Sequence, residues 1–324
     1  MKAARIYDRR KIEFLEIPQD PMKKGYSLIK VKEISICGSD VRIQYDGDIS
    51  LVKQYEYPFS PGIPCHEVTG IIEESGDPNI PKGTRVLVVP SNDDGMKEFL
   101  VEPSNRIIPL PDWGELDEWV MCQPAGTVYY SSKQWGNPAG NNIAILGQGA
   151  IGLTYTMIAS KQNPSKIITL DPLNYRLTKS LELGATNTIN PIEDSVKDGI
   201  NELTEGKGID IVVDATGSKN ALNNSLDIVK NEGLIICFGL ISEKFSKIDH
   251  NKLISKNLNI RSTLLAGTDE PLKEIKEIIE LKKENWINPG VLKTHNLDWE
   301  DAQKAFDMYD KKEDEVIKIS LKVS

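Results

Sequence analysis

The sequence predicts a chain of mixed class, in which a β domain with a barrel-like strand pattern joins an α/β domain built on a parallel sheet. Two observations predict this. The 324 residues are about twice the ~150 of a typical domain, and the pattern of apolar residues changes near Asn141. We therefore expect residues 123–284 to form one domain, and residues 1–122 together with 285–324 to form the other.

Before Asn141 the chain has the pattern of short strands separated by turn residues. Alternating apolar side chains favour strands at residues 27–32, 68–72, 85–89 and 99–101. Several short strands at such spacing are typical of an all-β unit that closes into a barrel-like sheet.

After Asn141 apolar strands alternate with helical stretches, which predicts βαβ units on a parallel sheet. The predicted strands are residues 143–146, 167–171, 209–214 and 234–238. Beyond Pro271, residues 272–283 and 299–309 have apolar side chains at helical spacing. An alternating run at residues 316–321 predicts a closing strand, and we expect it to pair with the N-terminal β domain because a lone strand is marginally stable.

Composition excludes several classes of function. Lys and Arg total 39 against 48 Asp and Glu, a net charge of -9, which argues against nucleic acid or an anionic membrane surface as partner. No window has the ~18 apolar residues of a membrane span, and the first residues lack a signal-peptide pattern, so a cytoplasmic protein is expected. The four cysteines are too few for a disulfide framework in a chain of this size and point to metal or thiol chemistry.

A glycine-rich loop predicts a dinucleotide site. The strand at 143–146 runs into Gly147-Gln148-Gly149-Ala150-Ile151-Gly152, and a helical stretch follows. In this pattern the first glycine permits a tight turn, the second lets the backbone approach a pyrophosphate and the third allows close helix packing. Asp171 ends the next strand, where it can accept hydrogen bonds from the ribose hydroxyls and repel a 2'-phosphate.

This loop favours NAD over NADP, although Arg176 near Asp171 keeps NADP possible. The context of strand, loop, helix and acidic residue distinguishes it from an ordinary glycine turn. A sheet that kept the fold and lost its ligand is the alternative interpretation.

Two short motifs in the first domain suggest a metal site: Cys37-Gly38-Ser39-Asp40 and Cys65-His66-Glu67. Sulfur, imidazole and carboxylate ligands from separate loops can bind zinc tetrahedrally, with one position open in catalytic sites. Each residue alone has an ordinary explanation, since a cysteine is usually a small buried hydrophobe and a glutamate a solvated charge. The hypothesis of a zinc site therefore depends on their combination.

The metal motifs and the dinucleotide loop together resemble the zinc-containing medium-chain alcohol and polyol dehydrogenase superfamily, over almost the whole chain. The resemblance implies a GroES-like catalytic domain, a Rossmann cofactor domain and metal-assisted hydride transfer between an alcohol and a nicotinamide. It also implies that Ser39 accepts the hydroxyl proton and passes it outward. The cofactor residues that it implies, beside the glycine loop, Asp171 and Arg176, are Thr127, Thr216, Gly239 and Leu240.

One departure from the family's pattern concerns the third protein ligand. The family usually has an acidic residue or cysteine before a Pro-Leu or Pro-Ala turn, and alignment of Pro124 puts Gln123 there. Either Gln123 binds through its amide oxygen, or Glu67 binds directly, or a shift of register brings in Cys122. Cys65 replaces a customary glycine, and we interpret it as a packing residue.

A second departure is a deletion. The family often has a lobe of four cysteines that holds a structural zinc, whereas residues 90–98 contain no cysteine. One catalytic zinc and no structural zinc are therefore expected. The resemblance also implies a homo-oligomer, a dimer or a tetramer, and a small-molecule alcohol, polyol or sugar as substrate.

Two other functions remain open on the sequence. A zinc-independent reductase of quinones or activated alkenes would keep the fold without the metal. A non-catalytic protein that senses NAD or has a structural role would retain the fold, and the unusual Gln123 is its best support.

Overall fold

The computed structural model describes residues 1–47, 56–241 and 245–323. The chain divides into two units, the first formed by Met1–Pro124 with Ile275–Ser324 and the second by Ala125–Glu274. The boundary expected from the sequence, after residue 284, lies just beyond the end of a helix, Lys273–Lys283, whereas the second unit ends at Glu274, near the start of that helix. All four cysteines are free thiols.

The regular elements of the described residues are numbered in chain order. The strands are β1 (Lys2–Asp8), β2 (Lys11–Glu16), β3 (Tyr26–Ser35), β4 (Glu67–Glu74), β5 (Arg85–Val88), β6 (Phe99–Pro103), β7 (Ile107–Pro109), β8 (Asn142–Leu146), β9 (Lys166–Leu170), β10 (Asn187–Ile189), β11 (Ile209–Asp214), β12 (Val229–Cys237), β13 (Asn259–Ser262), β14 (Lys293–Asp298) and β15 (Lys318–Lys322). The α-helices are α1 (Leu116–Trp119), α2 (Cys122–Ser132), α3 (Ala150–Ser160), α4 (Asn174–Glu182), α5 (Val196–Leu203), α6 (Ala221–Ile228), α7 (His250–Ser255), α8 (Lys273–Lys283) and α9 (Ala302–Lys311).

The first unit is a β domain around a seven-stranded sheet. The strand order is β14-β15-β3-β4-β5-β7, and β6 also pairs with β3. Along most of β3 buried side chains alternate with partly exposed ones, as expected of a strand with one face on the core. The predicted closing strand, β15, pairs antiparallel with β3, which confirms that the chain returns to this domain.

The hairpin of β1 and β2 was not predicted from the sequence, nor was β14, which pairs in parallel with β15. A short π-helical segment, Asp40–Tyr45, was not predicted either; it begins at the last residue of the first metal motif. Segments of this kind are rare and occur frequently at functional sites.

The second unit is an α/β domain on a six-stranded parallel sheet. Its strand order, β10-β9-β8-β11-β12-β13, is that of the Rossmann fold, which confirms the predicted class. All five residues of β8 are buried, as are most of the residues of α3, because strands in a parallel sheet are covered on both faces. The carboxyl ends of its strands therefore carry the residues available to a ligand.

Candidate metal and cofactor sites

The pairing of β3 with β4 brings the two metal motifs together. Ser35, the last residue of β3, lies opposite Glu67, the first residue of β4. Cys37 follows β3 by two residues and His66 immediately precedes β4, so both reach the same end of this strand pair. Long-range strand register thus accounts for a cluster whose members are 29 positions apart in the sequence.

The side chains of Cys37, His66 and Glu67 converge. The Cys37 sulfur, one ring nitrogen of His66 and one carboxylate oxygen of Glu67 lie within 4.8 Å of one another. Within residues 1–47, 56–241 and 245–323, no other group of three or more His, Cys, Asp and Glu side chains converges in this way. Sulfur, nitrogen and oxygen donors at this spacing are suited to a zinc ion.

Glu67 provides an independent test of whether the cluster fits a metal ion. Its side chain is fully buried, and its Oε1 atom has no hydrogen-bond partner among the described residues. An unpaired carboxylate oxygen inside a protein is costly unless a proton donor or a cation satisfies it. A metal ion at the cluster would satisfy that oxygen, so the residues present fit the ion.

Asp40 holds both ends of the cluster, a role that the sequence analysis did not assign. Its Oδ2 accepts a hydrogen bond from the Cys37 amide at 2.9 Å, and its Oδ1 lies 3.2 Å from His66 Nδ1. Burial by itself lowers the pKa of His66, but the Asp40 carboxylate and Cys37 outweigh this effect and raise it well above the ordinary value. A carboxylate on one ring nitrogen leaves the other nitrogen directed to a metal.

Lys318 is the second residue that sequence reasoning missed. It lies on β15 with 2% of its surface exposed, and its Nζ donates to Glu67 Oε2 and to the Ile36 carbonyl at 2.7 Å. Burial disfavours the ammonium form, yet the Glu67 carboxylate outweighs it and raises the pKa of Lys318 above its usual value. The signal in the sequence was a lysine inside an otherwise apolar strand pattern.

The other predicted residues of this site have different surroundings. Ser39 is half-buried before the π-helical segment, and its hydroxyl makes no capping hydrogen bond. Gln123 is buried, and its side chain forms no hydrogen bond in the part of the chain that the structure describes.

The two neighbouring cysteines are not part of the convergent group. Cys122 is fully buried, and burial raises the pKa of its thiol to about 12. Cys65 belongs to the apolar core of the β domain, which confirms its interpretation as a packing residue. Its backbone has a φ of +100°, a left-handed conformation that favours the glycine of the family's pattern.

In the α/β domain the glycine loop connects β8 to α3 as predicted. Gly147 has a φ of +86°, and a Cβ on Gly152 would lie 1.8 Å from the Gly147 carbonyl, so close packing of the loop requires glycine there. A Cβ on Gly149 would meet only Arg176, at 3.7 Å. The amides of Ala150 and Ile151 belong to the first turn of α3, whose N–H groups lack partners within a helix and attract phosphate.

Asp171 lies directly after β9 and contacts the glycine loop. Its Oδ2 accepts a hydrogen bond from the Gln148 amide at 2.7 Å, and its Oδ1 accepts one from the Leu173 amide at 2.9 Å. The Arg176 guanidinium lies 3.9 Å from Asp171 Oδ2. These contacts fix an acidic and a basic group beside the loop.

Thr216 and Gly239 follow the ends of β11 and β12, at the same edge of the sheet. The Thr216 amide and hydroxyl both donate to Asp214, and the Gly239 amide donates to the Asp214 carbonyl. A Cβ on Gly147 would lie 3.0 Å from the Thr216 methyl group, so these residues surround the loop. Leu240, which directly follows Gly239, is half-buried. Thr127, on α2, is also half-buried.

Two family models match the chain. The model described as alcohol dehydrogenase GroES-like domain matches residues 23–129, and the one described as zinc-binding dehydrogenase matches residues 150–283. In the described part of the chain, no helix has both the length and the apolar character needed to cross a bilayer.

The chain is similar to curated and solved dehydrogenases along most of its length. It is 27% identical to an L-threonine 3-dehydrogenase of Bacillus velezensis, with 90% of each chain covered, and 25% identical to an alcohol dehydrogenase of Cupriavidus necator, with 99% of this chain and 98% of the relative covered. The solved alcohol dehydrogenase TADH from Thermus sp. ATN1 has a TM-score of 0.87 at 21% identity and full coverage of both chains. A 2R,3R-butanediol dehydrogenase from Bacillus subtilis has a TM-score of 0.84 at 23% identity and 99% coverage of both. At these identities the solved structures show the fold alone.

Proposed function

Because the chain belongs to the zinc-containing medium-chain dehydrogenase superfamily, we propose that it transfers a hydride between a secondary alcohol and NAD with the help of one zinc ion. The observation that carries this proposal is the convergence of Cys37, His66 and Glu67 within 4.8 Å. A zinc ion held there supplies a Lewis acid that stabilises the alkoxide form of a substrate hydroxyl.

The residues around the cluster would prepare the ligands. Cys37 and His66 would bind the ion, with an oxygen of Glu67 or Gln123 completing the set. The contact of Asp40 with His66 Nδ1, at 3.2 Å, supports an orienting role, because such outer carboxylates fix the ring and increase its basicity. Lys318 already engages one oxygen of Glu67, which leaves the unpaired Oε1 for the ion.

Ser39 would relay the hydroxyl proton: its oxygen would accept the substrate proton while its own hydroxyl proton passes outward to solvent. Its side chain is half-buried, two residues after Cys37, and no capping hydrogen bond occupies the hydroxyl. A hydroxyl without a structural role next to a ligand is a suitable first acceptor for general base transfer. The electron pair left on the substrate oxygen would then form the second C–O bond of the ketone, as hydride leaves the carbinol carbon for the nicotinamide ring of NAD.

We propose NAD as the cofactor, with NADP less favoured. The pyrophosphate would bind at Gly149 and the first turn of α3, and Asp171 would accept hydrogen bonds from the adenosine ribose. The carboxylate of Asp171 is buried, and hydrogen bonds from two backbone amides fix its orientation. It would therefore repel the 2'-phosphate of NADP, because the side chain cannot rotate away. Thr127, Thr216, Gly239 and Leu240 would contact the rest of the dinucleotide.

A secondary alcohol of the polyol or sugar type is the proposed substrate class. The relative named L-threonine 3-dehydrogenase bears the name of a compound that has a secondary hydroxyl group. A screen of polyols, sugars and hydroxy amino acids with NAD and NADP, followed by the absorbance of the reduced nicotinamide, tests both the substrate and the cofactor.

The zinc assignment is tested by metal analysis of three cysteine variants. We expect about one zinc per chain in the wild type, loss of zinc and turnover in Cys37→Ser, and retention of NAD binding in that variant. Cys237→Ser, which changes a half-buried thiol of the other domain, is the control and should keep its zinc. Loss of zinc in Cys122→Ser would instead favour the shifted register, and activity that survives removal of all metal would favour a zinc-independent reductase.

We also propose a homo-oligomer, a dimer or a tetramer. The support is β13, which forms an edge of the parallel sheet and whose four residues are all exposed. Ile260 on this strand and Leu264 beyond it are large apolar side chains at the surface, and such an edge pairs readily with another strand. Light scattering should give a multiple of the chain mass, and Ile260→Lys should reduce it; a monomeric wild type would refute the proposal.

A further inference from the structure

Residues 90–98, the short connection from β5 to β6, contact the segment that leads to His66. The Gly95 amide donates to the Cys65 carbonyl at 2.8 Å, and the Met96 amide donates to the Gly62 carbonyl at 2.9 Å. A Cβ on Gly95 would lie 2.6 Å from the Cys65 carbonyl oxygen, so the two segments touch without a gap. The position of Cys65 therefore depends on residues 90–98.

Cys65 needs such support, because its own conformation is unfavourable. It has a φ of +100°, where a side chain with a Cβ is strained, and it is directly followed by His66. Strained residues of this kind persist only where the surrounding structure fixes them. If Cys65 relaxed toward an ordinary conformation, the backbone of His66 would turn with it.

A buried ion pair anchors residues 90–98 against this segment. Lys97 is 6% exposed, and its Nζ lies 2.6 Å from Asp94 Oδ2 and 3.1 Å from Asp20 Oδ2. The aliphatic part of Lys97 packs on Gly62, where a Cβ would lie only 2.7 Å from Lys97 Cε and from the Asp94 carbonyl oxygen. The ion pair thus closes a turn over Gly62 and directs the Gly95 amide to Cys65.

We propose that Lys97 is a positioning residue for the metal ligand His66. Through its pair with Asp94 it holds residues 90–98 on Gly62 and Cys65, and these hold Cys65 in the conformation that aims His66 at Cys37 and Glu67. The inference rests on the proposed zinc site, but it assigns a role to residues that do not contact the ion.

The test measures the affinity of the intact protein for Co²⁺, followed by the absorption of the cobalt–thiolate bond and by competition with a chelator. Lys97→Met keeps the apolar part of the side chain as far as the ε position and removes the charged amine, and we expect about tenfold weaker binding of Co²⁺, as for other outer residues of metal sites. Lys293→Met is the matched control, since it breaks the ion pair of Lys293 with Asp117. This pair also belongs to the β domain, but it lies outside residues 90–98 and outside the segment that leads to His66. It should bind Co²⁺ as the wild type does.

A second background separates positioning from general stability. Glycine adopts a φ of +100° without strain, so a Cys65→Gly protein should not need the ion pair of Lys97 and Asp94 to hold residue 65 in this conformation. In the Cys65→Gly background, Lys97→Met should therefore weaken Co²⁺ binding about threefold or less. An equal loss in both backgrounds would overturn the inference, as would an equal loss in Lys97→Met and Lys293→Met. Should Lys97→Met not fold, Asp94→Asn breaks the same pair with almost no change in shape, and unchanged Co²⁺ affinity in that variant would also overturn it.

The proposed function fails in a different way. A wild-type protein that binds no Co²⁺ at all would refute the metal site and this inference with it. A wild type that binds Co²⁺, together with a Lys97→Met variant of the same affinity, would refute the positioning role and leave the metal site intact.

Discussion

The buried pair of Lys318 and Glu67 makes a prediction about stability that can be worked out from its surroundings. Lys318 is 2% exposed and Glu67 is fully buried. If either partner is removed, water therefore cannot solvate the charge that remains. Lys318→Met keeps most of the side-chain volume and removes the ammonium group. The variant then leaves the Glu67 carboxylate and the Ile36 carbonyl without their donor.

The burial of both side chains sets the expected loss in the free energy of unfolding. Removal of one partner of a buried ion pair costs about 3–5 kcal/mol, because the remaining charge is not compensated. The double variant Glu67→Gln/Lys318→Met removes both charges, and we expect it to be more stable than the single variant by at least ~1 kcal/mol. For comparison, Lys179→Met breaks an exposed pair with Glu182 and should cost under about 1 kcal/mol.

Urea denaturation of the three variants and the wild type, with and without zinc, measures these free energies. Zinc should restore part of the stability of Lys318→Met, because the ion supplies a positive charge next to Glu67. A free energy of unfolding of Lys318→Met within about 1 kcal/mol of the wild-type value would show that Lys318 does not compensate the Glu67 charge, as would a double variant no more stable than the single one.

Three further predictions concern other parts of the chain. Burial, reinforced by Asp117, raises the pKa of Glu33 from 4.5 to about 7, so the folded state holds this proton more tightly and stability falls as pH rises through that interval. Glu33→Gln should remove a loss of about 2.5 kcal/mol in the free energy of unfolding between pH 5 and pH 8, measured by thermal unfolding at both pH values. Gly152→Ala should lower both stability and NAD affinity, whereas Gly149→Ala, where a Cβ has room, should lower NAD affinity alone in a fluorescence titration. Asp40→Asn should weaken zinc binding by about tenfold or more in a chelator competition, and an unchanged affinity would exclude its orienting role.

The sequence was most informative where function depends on local pattern. The strand, glycine loop and helix around Gly147 form one continuous stretch, so their order alone predicts a dinucleotide turn. The metal motifs were also visible, but their convergence was not, because it depends on which strands pair. The register that sets Ser35 opposite Glu67 is a long-range property of the sheet.

Asp40 and Lys318 show why part of the site could not be predicted. Asp40 belongs to the first motif, yet only a folded chain brings its carboxylate next to His66. Lys318 is 251 positions from Glu67 in the sequence and reaches it because β15 inserts beside β3. The lysine in this strand is visible in the sequence, but nothing in the local pattern identifies Glu67 as its partner.

Local sequence patterns were sufficient for the two fold classes, the glycine loop and the residue types that could bind a metal, since hydrophobic periodicity and short motifs act over a few neighbouring residues. The tertiary structure alone decided that Cys37, His66 and Glu67 meet, that a buried lysine compensates Glu67, and that residues 90–98 support Cys65. These are contacts between segments far apart in the chain, and the pairing of strands and the burial of charge decide them.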